Sequence, residues 1–361
     1  MKSILFRVRR RIRIPRRAWA FFATASLCVC VCVRAFPEEK VEMTAAEKAS
    51  IQDCVTRGLD WLAGQQSRAG RWSANEGEYP TAMTAMSVLA LTAEGSTTMQ
   101  GRYAPNIRRG VNFLLAQSRP NGLIGSSSDQ RYTYGHGYAM LALAQILGEE
   151  EDVERREEIV DVLTRAVEFT ASAQTTAGGW GYVSAKDGND FDEGSTTITQ
   201  VQGLRACRNA GIPVPKETID RAILYIRRCT NPDGGVQYSS SQGGAGRPAI
   251  TAAAIACLFN AGDYDDEFVP KMLHYCARNL ADVEGSAMGF WHYAHFYYAQ
   301  VMYRQGGAEW DKYYRAIAAR LVREADPSGA WNQGFVGSVY TTANNLVILQ
   351  LEAGNLPIFQ R

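Results

Sequence analysis

Several signatures are missing from these 361 residues, and each absence removes a class of chemistry. There is no Gly-x-Ser-x-Gly elbow, no P-loop and no dinucleotide-binding fingerprint. The thioester-forming Gly-Cys-Gly-Glu-Gln run is also absent. No Cys-x-x-Cys spacing occurs: three of the eight cysteines fall in one apolar run, leaving Cys54, Cys207, Cys229, Cys257 and Cys276 scattered. These five are expected to be buried thiols, while one or two disulfides would fit an oxidising compartment. Acidic residues are absent from the first 34 positions, which hold nine Lys or Arg. The rest of the chain therefore carries 29 basic against 37 acidic residues, a net of −8 that hides behind the overall +1. An acidic body does not suit nucleic acid, whose phosphates need clustered Lys and Arg.

The N-terminal charge asymmetry has a reading of its own. A basic stretch through Arg17 precedes the apolar run "AWAFFATASLCVCVCV", Ala18 to Val33. Such a run suits the apolar region of an export signal and is shorter than the roughly 20 residues of a spanning helix. Two expectations stand: residues 1–36 are a cleaved export signal, or residues 18–33 are retained as a membrane anchor. In either case this segment contacts the membrane, and the remainder is placed in the periplasm or cell envelope.

What the chain does have is a repeated unit. A basic residue followed by a small one heads "RGLDWLAGQQSRAGRW" at Arg57-Gly58 and returns at Arg109-Gly110, Arg165-Ala166 and Arg221-Ala222. Weaker copies stand at Lys271-Met272 and Arg315-Ala316. Four places later come Trp61, Phe113, Phe169, Tyr225 and Tyr275, with Ala319 in the sixth unit. Further on each unit has a turn glycine: Gly70, Gly122, Gly178, Gly234, Gly285 and Gly329. Self-similarity at such a period means a repeat architecture. Each unit reads as helix, Gly-rich turn, helix, and the second helices ("TAMTAMSVLALTA", "GYAMLALAQIL", "AITAAAIACLF") are apolar on most faces. A helix apolar all round is buried. The expected fold is thus all-α: six hairpins over residues 37–361, with units near 50–95, 104–148, 160–211, 217–262, 268–307 and 312–354, and with the second helices inside.

The first unit resembles the QW motif of squalene and oxidosqualene cyclases through Gln66, Gly70 and Trp72, and the third through Gln174, Gly178 and Trp180. The resemblance covers about residues 50–355. It implies the (α/α)6 toroid shared by terpenoid cyclases and protein prenyltransferase β subunits, with ligand groups at the N-terminal ends of the inner helices around an apolar cavity.

Three stretches near those ends carry candidate chemistry. Asp190-Phe191-Asp192-Glu193 is similar to the Asp-x-Asp-Asp acid of squalene-hopene cyclases. By that resemblance Asp190, Asp192 and Glu193 are candidate catalytic carboxylates, since clustered carboxyls can hold a shared, strongly acidic proton. The bland reading of the same residues is an acidic loop that caps a helix. "YGHGYAML" resembles a diphosphate-binding segment of prenyltransferases, which singles out His136; the basic residues near these ends are Arg131, Lys186 and Arg247. "GFWHYAHFYYAQVMY" offers a ligand-binding wall of Trp291, His292, Tyr293, His295, Phe296 and Tyr297. The Asp, Cys and His positions of a zinc prenyltransferase are not matched, so neither metal nor cofactor is expected. Three functions fit: a cyclase-like toroid that binds or transforms an apolar isoprenoid or lipid, a non-catalytic toroid with a protein or peptide partner, or a carbohydrate-active (α/α)6 enzyme. The last needs two carboxylates roughly 5–10 Å apart.

Overall fold

The computed structural model describes residues 42–125, 129–187, 190–280 and 290–359. The export segment expected over residues 1–36, with its apolar run 18–33, and Gly285 of the fifth turn lie outside the described residues. Among the described residues no helix is long and apolar enough to cross a membrane.

Twelve α-helices among the described residues pair into six hairpins. They are α1 (Ala45–Gly64) with α2 (Pro80–Thr92), α3 (Ala104–Ala116) with α4 (Tyr132–Leu147), and α5 (Val153–Ala173) with α6 (Gly194–Asn209). Then come α7 (Lys216–Cys229) with α8 (Pro248–Ala261), α9 (Val269–Asn279) with α10 (Phe290–Gln305), and α11 (Gly307–Glu324) with α12 (Ser338–Leu349). The even-numbered helices close a ring: α2 packs on α4, α4 on α6, α6 on α8, α8 on α10, α10 on α12, and α12 back on α2. Most odd-numbered helices lie outside and lean on the inner helix that precedes them, α3 on α2, α5 on α4, α9 on α8, α11 on α10 and α1 on α12, while α7 sits between α6 and α8. The outer ring is therefore offset from the inner one, and every hairpin is held by its neighbour. This is the expected all-α toroid. Local sequence supports it: Thr44 and Glu47 form a capping box on α1, Asp152 caps α5, and Pro80 and Pro248 open α2 and α8, where a missing N–H costs nothing.

The repeat has a physical meaning at each junction. Gly70 takes φ +82°, and a Cβ there would stand 2.6 Å from the Arg109 carbonyl oxygen, the head of the next unit. Gly122 meets Arg165 in the same way, Gly178 meets Arg221, Gly234 meets Lys271, and Gly329 meets Arg57, which joins the last hairpin to the first. The small residue after the basic one leaves room for the preceding Trp: a Cβ on Gly110 would lie 3.2 Å from the Trp72 ring. Gln66 Nε2 donates to Gly70 O at 2.8 Å within its own turn and to Asn106 O at 2.9 Å in the next unit. Gln174 does the same with Gly178 O and Thr218 O. Trp72, Trp180 and Trp331 are buried and donate their indole N–H back to Leu62, Thr170 and Leu321 of the outer helix.

The five cysteines Cys54, Cys207, Cys229, Cys257 and Cys276 are buried free thiols. At the C-terminal end of the inner ring, a short 3-10 turn, Pro357–Phe359, lies across the ends of α4 and α10. Ile358 N–H donates to Gln145, Arg304 donates to the Ile358 carbonyl at 2.6 Å, and Phe359 packs edge-on against Phe296. That end of the ring is plugged.

Candidate functional site

The middle of the ring is bridged by side chains from non-neighbouring helices. Tyr138 of α4 and Tyr297 of α10 join their hydroxyls at 3.0 Å across the axis. One turn deeper, Gln202 of α6 donates to Gln300 of α10 at 2.6 Å. Above this floor, towards the N-terminal ends of the inner helices, stand Tyr134 of α4, Ser195 of α6, Tyr293 of α10 and Tyr340 of α12. Tyr134, Tyr293 and Tyr340 keep partial solvent access, yet burial drives their phenol pKa values upward, so they stay neutral. Deep and still reached by solvent, they line a concavity.

Glu193 sits in its wall. It is the N-cap of α6 and fully buried. Its carboxylate accepts from Thr196 N–H at 2.8 Å, Ser195 N–H at 3.1 Å, the Ser195 hydroxyl at 2.6 Å and the Tyr134 hydroxyl at 3.0 Å. The Tyr134 and Ser195 hydroxyl oxygens lie against each other, and the Tyr293 hydroxyl approaches the Ser195 carbonyl at 3.5 Å. Burial raises the Glu193 pKa, opposed by these donors, chiefly those of Ser195. The positive end of α6 also favours the carboxylate there.

The other two carboxylates point elsewhere. Asp190 is exposed and accepts from the backbone N–H and hydroxyl of Thr176, bracing the turn of its own unit. Asp192 is buried and accepts from Ser240 N–H at 2.8 Å and its hydroxyl at 2.6 Å, bracing the turn of the next unit. The structure therefore does not bring Asp190, Asp192 and Glu193 together. Replacing Asp192 with Ala is expected to lower stability by about 2 kcal/mol, as hydrogen bonds to a buried charge are lost. Thermal denaturation checks this; an unchanged melting temperature would contradict the bracing role.

His136 faces outward, to α5. Its Nδ1 accepts from Ile124 N–H at 3.0 Å and its Nε2–H donates to the Thr170 hydroxyl at 2.9 Å, with the Phe169 ring edge-on at 4.9 Å. In other units a threonine takes this place: Trp72 N–H donates to Thr84, Trp180 N–H to Thr197, Val236 N–H to Thr251, and Trp331 N–H to Thr342. His136 is thus the turn anchor of a unit that has Ile124 where the first, third and sixth have Trp and the fourth has Val236. Burial lowers its pKa to about 4 from 6.5. The unfolded chain takes up this proton at higher pH than the native protein does, so the stability contributed by the neutral ring is lost as pH falls from 6.5 to 4. At 1.36 kcal/mol per unit this amounts to about 3 kcal/mol. The loss on acidification, read from urea denaturation at pH 7 and pH 4, is expected to be smaller in His136→Gln by about that amount. His292 and His295, also lowered by burial, would remain to titrate.

The aromatic wall of α10 divides around the helix. Trp291 lies under Arg320 of α11 and beside His295, and His295 Nδ1 meets the Tyr313 hydroxyl of α11 at 3.0 Å. His292 donates to Asn345 of α12 at 3.2 Å, and Phe296 lies on the lower plug. Only Tyr293 and Tyr297, four residues apart, face the axis. Among the described residues no group of three His, Cys, Asp or Glu could hold a metal. Sequence reasoning missed Tyr134, Tyr138, Ser195, Tyr340, Tyr182 and Tyr238. The available signal was the i, i+4 tyrosine pair 134/138, which matches 293/297.

At the rim, Tyr182 and Tyr238 bond each other through their hydroxyls, and Tyr182 packs on Tyr134 at 5.9 Å. The Arg131 guanidinium lies 4.4 Å over Tyr182 and that of Arg247 lies 4.3 Å over Tyr238.

A toroid of six helical hairpins, with one buried carboxyl and a tyrosine-lined concavity at the inner N-termini, defines a protein of the terpenoid-cyclase kind of fold. The comparisons agree: residues 31–250 match the squalene-hopene cyclase C-terminal domain and residues 194–337 match the prenyltransferase α/α toroid domain. The chain belongs to the squalene-hopene cyclase C-terminal domain family. It is 26% identical over 189 residues to the drimenyl diphosphate synthase of Streptomyces showdoensis, covering 51% of this chain and 33% of that protein. It is 23% identical over 203 residues to a probable squalene–hopene cyclase of Sinorhizobium fredii, covering 50% and 30%. The chain therefore matches about a third of the length of these curated relatives. In fold it is similar to a type II terpene cyclase from Scytonema, at TM-score 0.57 and 14% identity, over 85% of this chain and all of that one (100%). A family 76 α-1,6-mannanase from Salegentibacter shares the fold equally, at TM-score 0.58 and 9% identity, over 84% and 99%.

Proposed function

We propose that this chain binds an isoprenoid-type ligand in the tyrosine-lined concavity and holds it without protonating it. The carrying observation is the set of rings Tyr134, Tyr293 and Tyr340, deep in the protein and open to solvent, above the Tyr138–Tyr297 floor. Ring faces suit alkenes and apolar chains, while the Tyr134 hydroxyl is held by Glu193 and the Tyr138 and Tyr297 hydroxyls by each other. The family and the names of the curated relatives support an isoprenoid over other apolar ligands. Alkene protonation needs carboxyls that share a proton, whereas Asp190 and Asp192 brace separate turns and Glu193 is weakened as an acid by burial. A glycosidase reading has less support, since Glu193 is the one carboxyl assigned to the concavity among the described residues and hydrolysis needs a facing pair. The N-terminal basic and apolar segment supports placing this binding in the periplasm or cell envelope.

The test is equilibrium titration of the full chain in mild detergent with farnesol. Saturable binding is expected, weakened at least tenfold in Tyr293→Leu, which keeps apolar bulk and removes the ring. No saturable binding to the native protein, or equal binding to the variant, would overturn the proposal.

A further inference from the structure

One turn below Tyr340, α12 carries Asn344, and the register of the ring gives its direction. On α2, α4, α6, α8 and α12 one side chain points outward and anchors the turn of its own hairpin: Thr84, His136, Thr197, Thr251 and Thr342. At about 100° per residue, the positions two before and two after an anchor fall about 200° round the helix, on the axial face. On α4 these are Tyr134 and Tyr138, of the concavity and its floor. On α12 they are Tyr340 and Asn344. The floor layer is therefore Met86, Tyr138, Thr199, Ala253, Tyr297 and Asn344, one residue from each inner helix. Tyr138 and Tyr297 bond each other, and the Thr199 hydroxyl donates to the Thr196 carbonyl at 2.8 Å. Asn344 differs from these three. It has no exposed surface, and neither its Nδ2 nor its Oδ1 makes a hydrogen bond among the described residues. The amide approaches the Tyr340 hydroxyl closely enough to oppose the rise in that phenol's pKa, yet stays outside hydrogen-bonding geometry.

A buried amide left open on both sides costs stability, because both groups lost their water without gaining a partner. The open donor and the open acceptor sit on one planar group at the foot of an aromatic bowl. A hydroxyl answers both, since it donates to Oδ1 and accepts from Nδ2. A carbonyl or ether would answer the donor alone, an ammonium the acceptor alone, and a carboxylate would set an acceptor against Oδ1. Resting on the reading that the concavity takes an isoprenoid, we infer that its ligand is an isoprenoid alcohol that enters hydroxyl first and bonds that hydroxyl to the Asn344 amide. Tyr340, one turn above, stands between Asn344 and the opening, so its ring turns aside as the alcohol enters.

The test is calorimetric titration of the full chain in mild detergent with farnesol and with farnesene, a hydrocarbon of the same carbon skeleton. The two partition differently into detergent, so the readout is the ratio of their dissociation constants in the native protein against that ratio in Asn344→Leu, where partition cancels. The native ratio is expected to favour the alcohol at least tenfold more than the variant ratio does. The change should come from weaker farnesol binding, with farnesene bound as before or more tightly. Leu keeps the branching of Asn and removes both open polar atoms, so the variant should also melt about 2 °C or more above the native protein. Asn344→Ala, which cannot crowd the site, should move the ratio in the same direction. An unchanged ratio in both variants overturns the hydroxyl contact and leaves the isoprenoid reading standing. A lower melting temperature in Asn344→Leu shows that the amide is tied into the fold, and overturns the contact as well. If neither farnesol nor farnesene binds the native protein, the isoprenoid reading itself fails.

Discussion

Trp180→Ala is expected to lower the stability of the toroid by about 3–5 kcal/mol, the range for removing a large aromatic from a core that cannot collapse around the void. Trp180 is completely buried and fastened at two points: its indole N–H donates to the Thr170 carbonyl at 2.9 Å and its backbone N–H to the Thr197 hydroxyl at 3.1 Å. One bond reaches the outer helix and the other the inner helix of the same hairpin. Truncation therefore leaves a cavity at the point where the two helices are held together. The carbonyl of Thr170 also loses its side-chain donor. Chemical denaturation would measure the loss. A change below 1 kcal/mol would mean that the hairpin is held elsewhere.

Gly329→Ala should act as strongly, by a different route, and at the seam of the ring. Gly329 takes φ +96°, where a side chain is strained by roughly 1–2 kcal/mol. Its new Cβ would also be driven onto the Arg57 carbonyl, a backbone group fixed within α1. A carbonyl oxygen inside van der Waals contact cannot swing away as a flexible side chain can, so α1 must separate from the sixth turn. A total of about 3 kcal/mol or more is expected, in the range for overpacked sites. Hydrogen exchange should localise the effect: amides of α1, α11 and α12 lose protection first, while α6 and α8, on the far side, keep theirs. Uniform loss around the ring would show that the seam is no weaker than the other junctions.

The fold was legible because the repeat writes the same physical event several times. A positive-φ glycine, a small residue and an aromatic recur where turn meets next helix, and the junctions use them as spacer, gap and filler. His136 shows the limit. It stands twelve residues after Ile124, the same interval that separates Trp72 from Thr84, so the register could have marked it as an anchor. Its chemistry drew attention instead, while Tyr134 and Tyr138, on the axial face of the same helix, did not. The run of aromatics on α10 reads as one wall in sequence, but successive residues turn by about 100°, and of that run only Tyr293 and Tyr297 face the axis. The acidic loop was illegible for another reason. Asp192 meets Ser240, 48 residues away, and nothing in "DFDE" states which turn will be within reach.

The most direct measurement is native mass spectrometry of the full chain, released from mild detergent after gentle purification. The account predicts a retained mass that denaturation identifies as an isoprenoid, lost from Tyr293→Leu. A protein that arrives folded and empty, and stays empty after incubation with farnesol, would contradict it.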